Sequence, residues 1–100
     1  MGDLIGRLVI SKAGRDQGKA FVIIKVVNDR FVMVADGDLR PLDNPKLKSM
    51  KHLQVTNRTL TEIVETIGKG EALENHRLRK LVRSLWAECQ DENREGGSLW

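Results

Sequence analysis

Three apolar runs open the chain: Ile5–Ser11 (IGRLVIS), Ala20–Val27 (AFVIIKVV) and Phe31–Ala35 (FVMVA). They are rich in Val, Ile and Phe, too short for typical helices, and bounded by turn-forming residues, so each predicts a strand. Asn28-Asp29 predicts a tight turn between the second and third. Asp36-Gly37 is a stronger turn signal, because glycine accepts a positive φ without steric cost. A short strand is expected at Leu39–Leu42, with Pro41 at its edge or end because proline has no N–H for a ladder. Asp43-Asn44-Pro45 reads as a loop and His52–Val55 as a last short strand. Five short strands in the first half predict a small, strongly bent sheet, most simply a barrel that hides its edges.

The pattern changes period at Thr56-Asn57. Thr59-Leu60-Thr61-Glu62 fits a capping box, and Leu60, Ile63, Val64 and Ile67 follow with helical spacing. Gly68 and Gly70 end that helix. A second helix is expected from Asn75 as N-cap, because Leu78, Leu81, Val82, Leu85, Trp86 and Cys89 fall on one face. Arg77, Arg79, Lys80 and Arg83 lie off that face, as solvated charges first and an auxiliary polyanion contact second. The expected fold is therefore mainly β with C-terminal helices: a barrel over residues 1–57, a helical extension over 58–90 and a flexible tail over 91–100. Phe21, Phe31 and Trp86 are expected in the core.

Charge sharpens this picture. The chain of 100 residues has a net charge of only +3. Residues 1–56, however, carry ten Lys/Arg against six Asp, a net +4, while residues 57–100 carry seven against eight, a net −1. The basic character belongs to the predicted sheet. Cys89 is the one cysteine, which excludes an intrachain disulfide and fits a reducing cytosol. MGDLIGRL lacks the basic and long apolar regions of a signal peptide, and no apolar run is long enough to span a membrane. A cytoplasmic monomer is expected.

The candidate chemistry lies in 11-SKAGRDQGKAF-21. A phosphate-gripping P-loop would need G-x-x-x-x-G-K-[ST] before a helix. Here the spacing from Gly14 to Gly18 is one residue short, Ala20 replaces the hydroxyl residue, and a strand pattern follows. A hairpin loop is the better reading. Its glycines supply positive φ, and Lys12, Arg15, Gln17 and Lys19 stand on its tip, where they suit a phosphate backbone. A second basic stretch, Lys46, Lys48, Lys51 and His52, contains no acid; it is either a solvated loop that protects a sheet edge or a second phosphate strip. His52, His76 and Cys89 are scattered, so no metal site is expected, and no nucleophile–base constellation stands out. Neither catalysis nor a cofactor is expected.

Residues Gly6 to Ile23 resemble a KOW motif. The ordered set G-R-x-x-x-x-x-A-G-R-D-x-G-K, Asn28-Asp29-Arg30-Phe31-Val32, Asp36-Gly37 and Lys51-His52-Leu53 resembles the fourteen-e family of large-subunit ribosomal proteins and its short bacterial KOW relatives. The resemblance covers residues 3–57. It implies an SH3-like barrel that binds RNA and marks Gly14, Arg15, Asp16, Gly18 and Lys19 as the loop elements. The expected function is non-catalytic binding of ribosomal RNA or the large ribosomal subunit. The expected contacts are Arg7, Lys12, Gly14, Arg15, Asp16, Gln17, Gly18, Lys19, Arg40, Lys46, Lys48, Lys51 and His52, with Asp16 fixing loop geometry because a carboxylate repels phosphate. With four aromatic residues and no Tyr, recognition of folded RNA by backbone and shape is expected over base stacking. The alternative is a protein-interaction adaptor that docks RNA polymerase or another factor through the helical extension.

Overall fold

A computed structural model describes residues 4–98 except Leu39 and Ala72, with side chains described as far as Glu88. Five strands come first: β1 (Arg7–Ser11), β2 (Ala20–Val26), β3 (Phe31–Ala35), β4 (Lys46–Ser49) and β5 (Leu53–Thr59). Two helices follow, α1 (Thr61–Gly68) and α2 (Asn75–Ser98). The strands form one antiparallel sheet in the order β4-β3-β2-β1-β5. Its two edge strands, β4 and β5, are consecutive in sequence and joined by one 3-10 turn, Met50–His52. A link of three residues spans only about 10 Å, so the sheet must curl until its edges approach. The result is a strongly bent sheet, without a β4–β5 hydrogen-bonded ladder among the described residues.

The curled sheet is buried on both faces, which is why its strands read as continuous apolar runs instead of alternating ones. Val9, Phe21, Ile23, Val32, Val34 and Leu53 fill the concave side. Leu8, Ala20, Val22 and Ala35 line the convex side, against Leu60 and Ile63 at α1 and Leu78 and Val82 of α2. Leu81, Leu85 and Trp86 pack around this second cluster. The helices thus share a core with β1 and β2.

Several elements differ from expectation. Leu39–Leu42 forms no strand among its described residues, because its hydrogen-bonding groups are used locally. The Asp36 carboxylate accepts from the backbone N–H groups of Asp38 and Arg40, Asp36 and Gly37 donate to the Arg40 carbonyl, and Leu42 donates to the Asn75 side chain. The fourth strand is instead Lys46–Ser49, read from sequence as a loop or phosphate strip. β1 starts at Arg7 and not Ile5, since Gly6 turns the chain with φ +81°. β5 runs on to Thr59, which removes Thr59 from its expected capping role; Leu60 precedes α1 without a side-chain cap. Asn75 starts α2 but offers its side-chain oxygen to Leu42 at 2.6 Å. Helix α2 runs on into the 91–100 segment, as far as Ser98. Leu99 and Trp100 lie outside the described residues, as does the side chain of Cys89.

Candidate nucleic-acid interface

The β1–β2 loop is built around a buried carboxylate. Gly14 and Gly18 adopt φ of +83° and +85°, and the chain closes on itself through Gly18 N–H to Ser11 O (2.8 Å), Lys19 N–H to Asp16 O (3.0 Å) and Ser11 N–H to Lys19 O (2.9 Å). Folded this way, Asp16 points inward and is only 8% exposed. Its carboxylate accepts from the Ser11 hydroxyl (2.9 Å), Lys48 Nζ (2.9 Å) and, more weakly, Lys46 Nζ (3.4 Å). Lys48 also donates to Ser11 Oγ and the Ala13 carbonyl.

Register explains why a lysine reaches that interior. Lys48 pairs with Val32, and Lys46 with Val34. Val32 and Val34 face the concave core, so the pleat turns both lysines the same way. Lys46 keeps its head at the rim, whereas Lys48 is 7% exposed. Lys48, expected at a phosphate, instead has its ammonium bonded inside the protein.

Burial by itself disfavours a charged Asp16. The Lys48 and Ser11 hydrogen bonds and the charges of Lys48 and Lys46 outweigh it, and hold the carboxyl at about 2 against an ordinary 3.8. A carboxyl lowered on folding contributes stability above its unfolded value and loses it on acidification. The shift corresponds to about 2 kcal/mol, lost between about pH 4 and about pH 2. Unfolding free energies of the wild type and Asp16→Asn, from urea titrations, should therefore converge by that amount over this range. A gap that stays constant on acidification would show that Asp16 is not held in its charged form.

Around this clamp further cations gather, Arg15 and Lys19 exposed and Arg40 and Lys46 partly buried. Arg15, Lys19, Arg40 and Lys46 line a cleft of about 300 Å³ together with Asp16 and the buried ring of Phe21. Lys48 neutralises the one carboxylate in that lining, which leaves four cations in a surface depression. Gln17 is exposed on the loop tip. Lys12, also exposed, sits where the loop meets the Met50–His52 turn, its N–H bonded to the His52 carbonyl at 2.8 Å. That bond ties Lys51 and His52, both exposed, to the loop side of the molecule.

Arg7 is not brought to the loop. It begins β1, whose other end carries Ser11, and its guanidinium bonds the Thr56 carbonyl at 3.1 Å. On α2, Arg77 pairs with Glu62 at 2.6 Å and Arg83 lies 3.8 Å from Asp38, both at exposed positions. A neighbouring cleft between the loop and α2 mixes Lys19, Arg79 and Arg83 with Asp36 and Asp38, and so has no single sign of charge. Among the described residues no group of His, Cys, Asp or Glu is arranged to hold a metal. No helix among them is long and apolar enough to cross a membrane.

Sequence reasoning missed the Asp16–Lys48 clamp. Half of its signal was present, in a lone carboxylate inside a basic loop; that Lys48 points inward follows only from the pairing of β4 with β3. It also placed Phe31 in the core, whereas the ring is 36% exposed.

Comparison with known proteins supports the resemblance carried by these loop and turn residues. No family model matches the chain. The large ribosomal subunit protein eL14 of Desulfurococcus amylolyticus is 26% identical over 74 residues, which cover 66% of this chain and 77% of that protein. The chain is a distant relative of that protein.

Proposed function

We propose that this chain, a distant relative of a large-subunit ribosomal protein, is a non-catalytic RNA-binding protein that docks on ribosomal RNA through its β1–β2 loop. One observation carries the reading: Arg15, Lys19, Arg40 and Lys46 converge on one cleft whose carboxylate is already neutralised from inside. Such a depression attracts a polyanion. Arg15 grips a phosphate bidentately, while Lys19, Lys46 and Lys12 act as point charges. Gly14 and Gly18 give the loop its shape, and Asp16 and Lys48 hold it. Arg40 closes the cleft from the Asp36-Gly37 turn.

Sedimentation of cell lysate on sucrose gradients tests this directly. The protein should travel with the large subunit at low salt and stay at the top at high salt, since phosphate contacts release counterions. The Arg15→Ala/Lys19→Ala double variant should keep the wild-type melting temperature, because both side chains are exposed. It should bind ribosomal RNA at least about tenfold more weakly, with a log–log salt slope shallower by about 2. Unchanged affinity and slope would remove the loop from the interface. An adaptor that grips a protein instead would stay on its partner in both the wild type and the double variant and ignore ribosomal RNA.

A further inference from the structure

Phe31 is out of place for a large apolar side chain. It opens β3 on the convex face, the same face on which Ala35 meets the helices. Helix α2 packs mainly on β2 and β1, and Phe31 at the start of β3 is left 36% exposed. It lies in a cleft of about 600 Å³ shared with Asp29, Arg30, Ser49, Met50, Lys51 and His52.

The backbone around this ring is fixed. The Asn28 side chain accepts from the N–H groups of Arg30 (2.8 Å) and Phe31 (3.0 Å). Met50 N–H donates to the Arg30 carbonyl at 2.7 Å, which joins the β2–β3 turn to the Met50–His52 turn. Arg30, Lys51 and His52 are exposed around the ring, opposed by Asp29. Through the His52 carbonyl the cleft abuts Lys12 of the phosphate-gripping loop.

We propose that this cleft receives a single unpaired RNA nucleotide, with its base stacked on Phe31 and its phosphate held by Arg30 and Lys51. The inference rests on the RNA-binding reading above and adds a specificity to it. An aromatic face with adjacent cations is the arrangement that stacks a base of any sequence while neutralising its backbone. A fully paired helix hides its base faces and gains nothing from the ring. The protein therefore prefers RNA that carries a bulged or looped-out nucleotide beside the helical segment gripped by the loop.

The test uses two short RNA hairpins of identical stem sequence, one fully paired and one with a single bulged 2-aminopurine. Wild-type protein should bind the bulged hairpin about tenfold more tightly and quench its fluorescence. Phe31→Leu keeps apolar bulk but removes the π face; it should abolish both the preference and the quenching while affinity for the paired hairpin is unchanged. Phe31→Tyr should restore both. Equal wild-type affinity for the two hairpins would overturn the inference and leave the RNA-binding reading standing. So would a loss in Phe31→Leu that is the same for both RNAs, since the ring would then act structurally. Absence of binding to either hairpin at low salt would defeat the RNA-binding reading itself, and the inference with it.

Discussion

Replacing Lys48 by methionine should destabilise the protein by about 3 kcal/mol and lower its melting temperature by about 15 °C. Methionine retains most of the apolar stem, so little packing is lost. What is lost is the ammonium that sits 2.9 Å from a carboxylate only 8% exposed. Asp16 would then be buried with the Ser11 hydroxyl and the distant Lys46 as its remaining polar partners. Lys46 softens the penalty, since its head remains 3.4 Å away, but it is about a third exposed and a poorer partner. Desolvation, no longer outweighed, would drive the Asp16 pKa upward. The deficit should therefore shrink as the pH falls and the carboxyl is protonated. Adding Asp16→Asn to Lys48→Met should recover much of the loss, because removing both charges leaves no buried ion to desolvate. RNA affinity should fall in the single variant although Lys48 is buried, because the loop that displays Arg15 and Lys19 loses its anchor at the Ala13 carbonyl. A melting temperature within a few degrees of wild type, unaffected by pH, would show that the clamp does not hold the loop.

The same pair marks how far the sequence could be read. Apolar runs located β1, β2 and β3 within two residues, because a strand buried on both faces leaves a strong signal. The cation-rich loop was legible for the opposite reason, since its glycines and charges have no place in a core. β4 was not legible: KLKS has one apolar residue, Leu47, and that residue faces outward, half-exposed. Its inward positions hold lysines that satisfy a carboxylate arriving from another part of the chain. Only the register against Val32 and Val34 reveals this. The Leu39–Leu42 strand failed through turn chemistry, where the Asp36 carboxylate and the Asn75 amide captured the backbone groups a ladder would have used. Phe31 failed because an aromatic in a strand pattern reads as core wherever the sheet is covered. Which part the helices leave bare is a tertiary fact that a strand pattern does not carry.

Gly37→Ala should be the other severe substitution, costing about 3 kcal/mol, while Gly18→Ala, at an equally left-handed position, should cost about 1 kcal/mol. Both glycines have positive φ, +79° and +85°, so both variants suffer the same backbone penalty. Their surroundings differ. A Cβ on Gly18 would meet nothing within 4 Å. A Cβ on Gly37 would be driven into the Asn75 carbonyl oxygen and would lie 2.9 Å from the Arg79 backbone nitrogen, both in the first turns of α2. Backbone cannot swing aside as a side-chain tip can, so the helix must lift from the turn. Lifting it pulls Asn75 Oδ1 from the Leu42 N–H and loosens Leu78 and Val82 against Leu8 and Val22. Hydrogen exchange should therefore quicken in α2 of the Gly37 variant and stay near wild type in the Gly18 variant. RNA affinity should show the reverse order, since Gly18 shapes the loop itself whereas Gly37 reaches the cleft only through Arg40. Thermal melts of the two proteins compare the terms cleanly, because their difference isolates the seating of α2 from the conformational preference of glycine. Equal losses in both would mean that α2 is not seated on the Asp36-Gly37 turn.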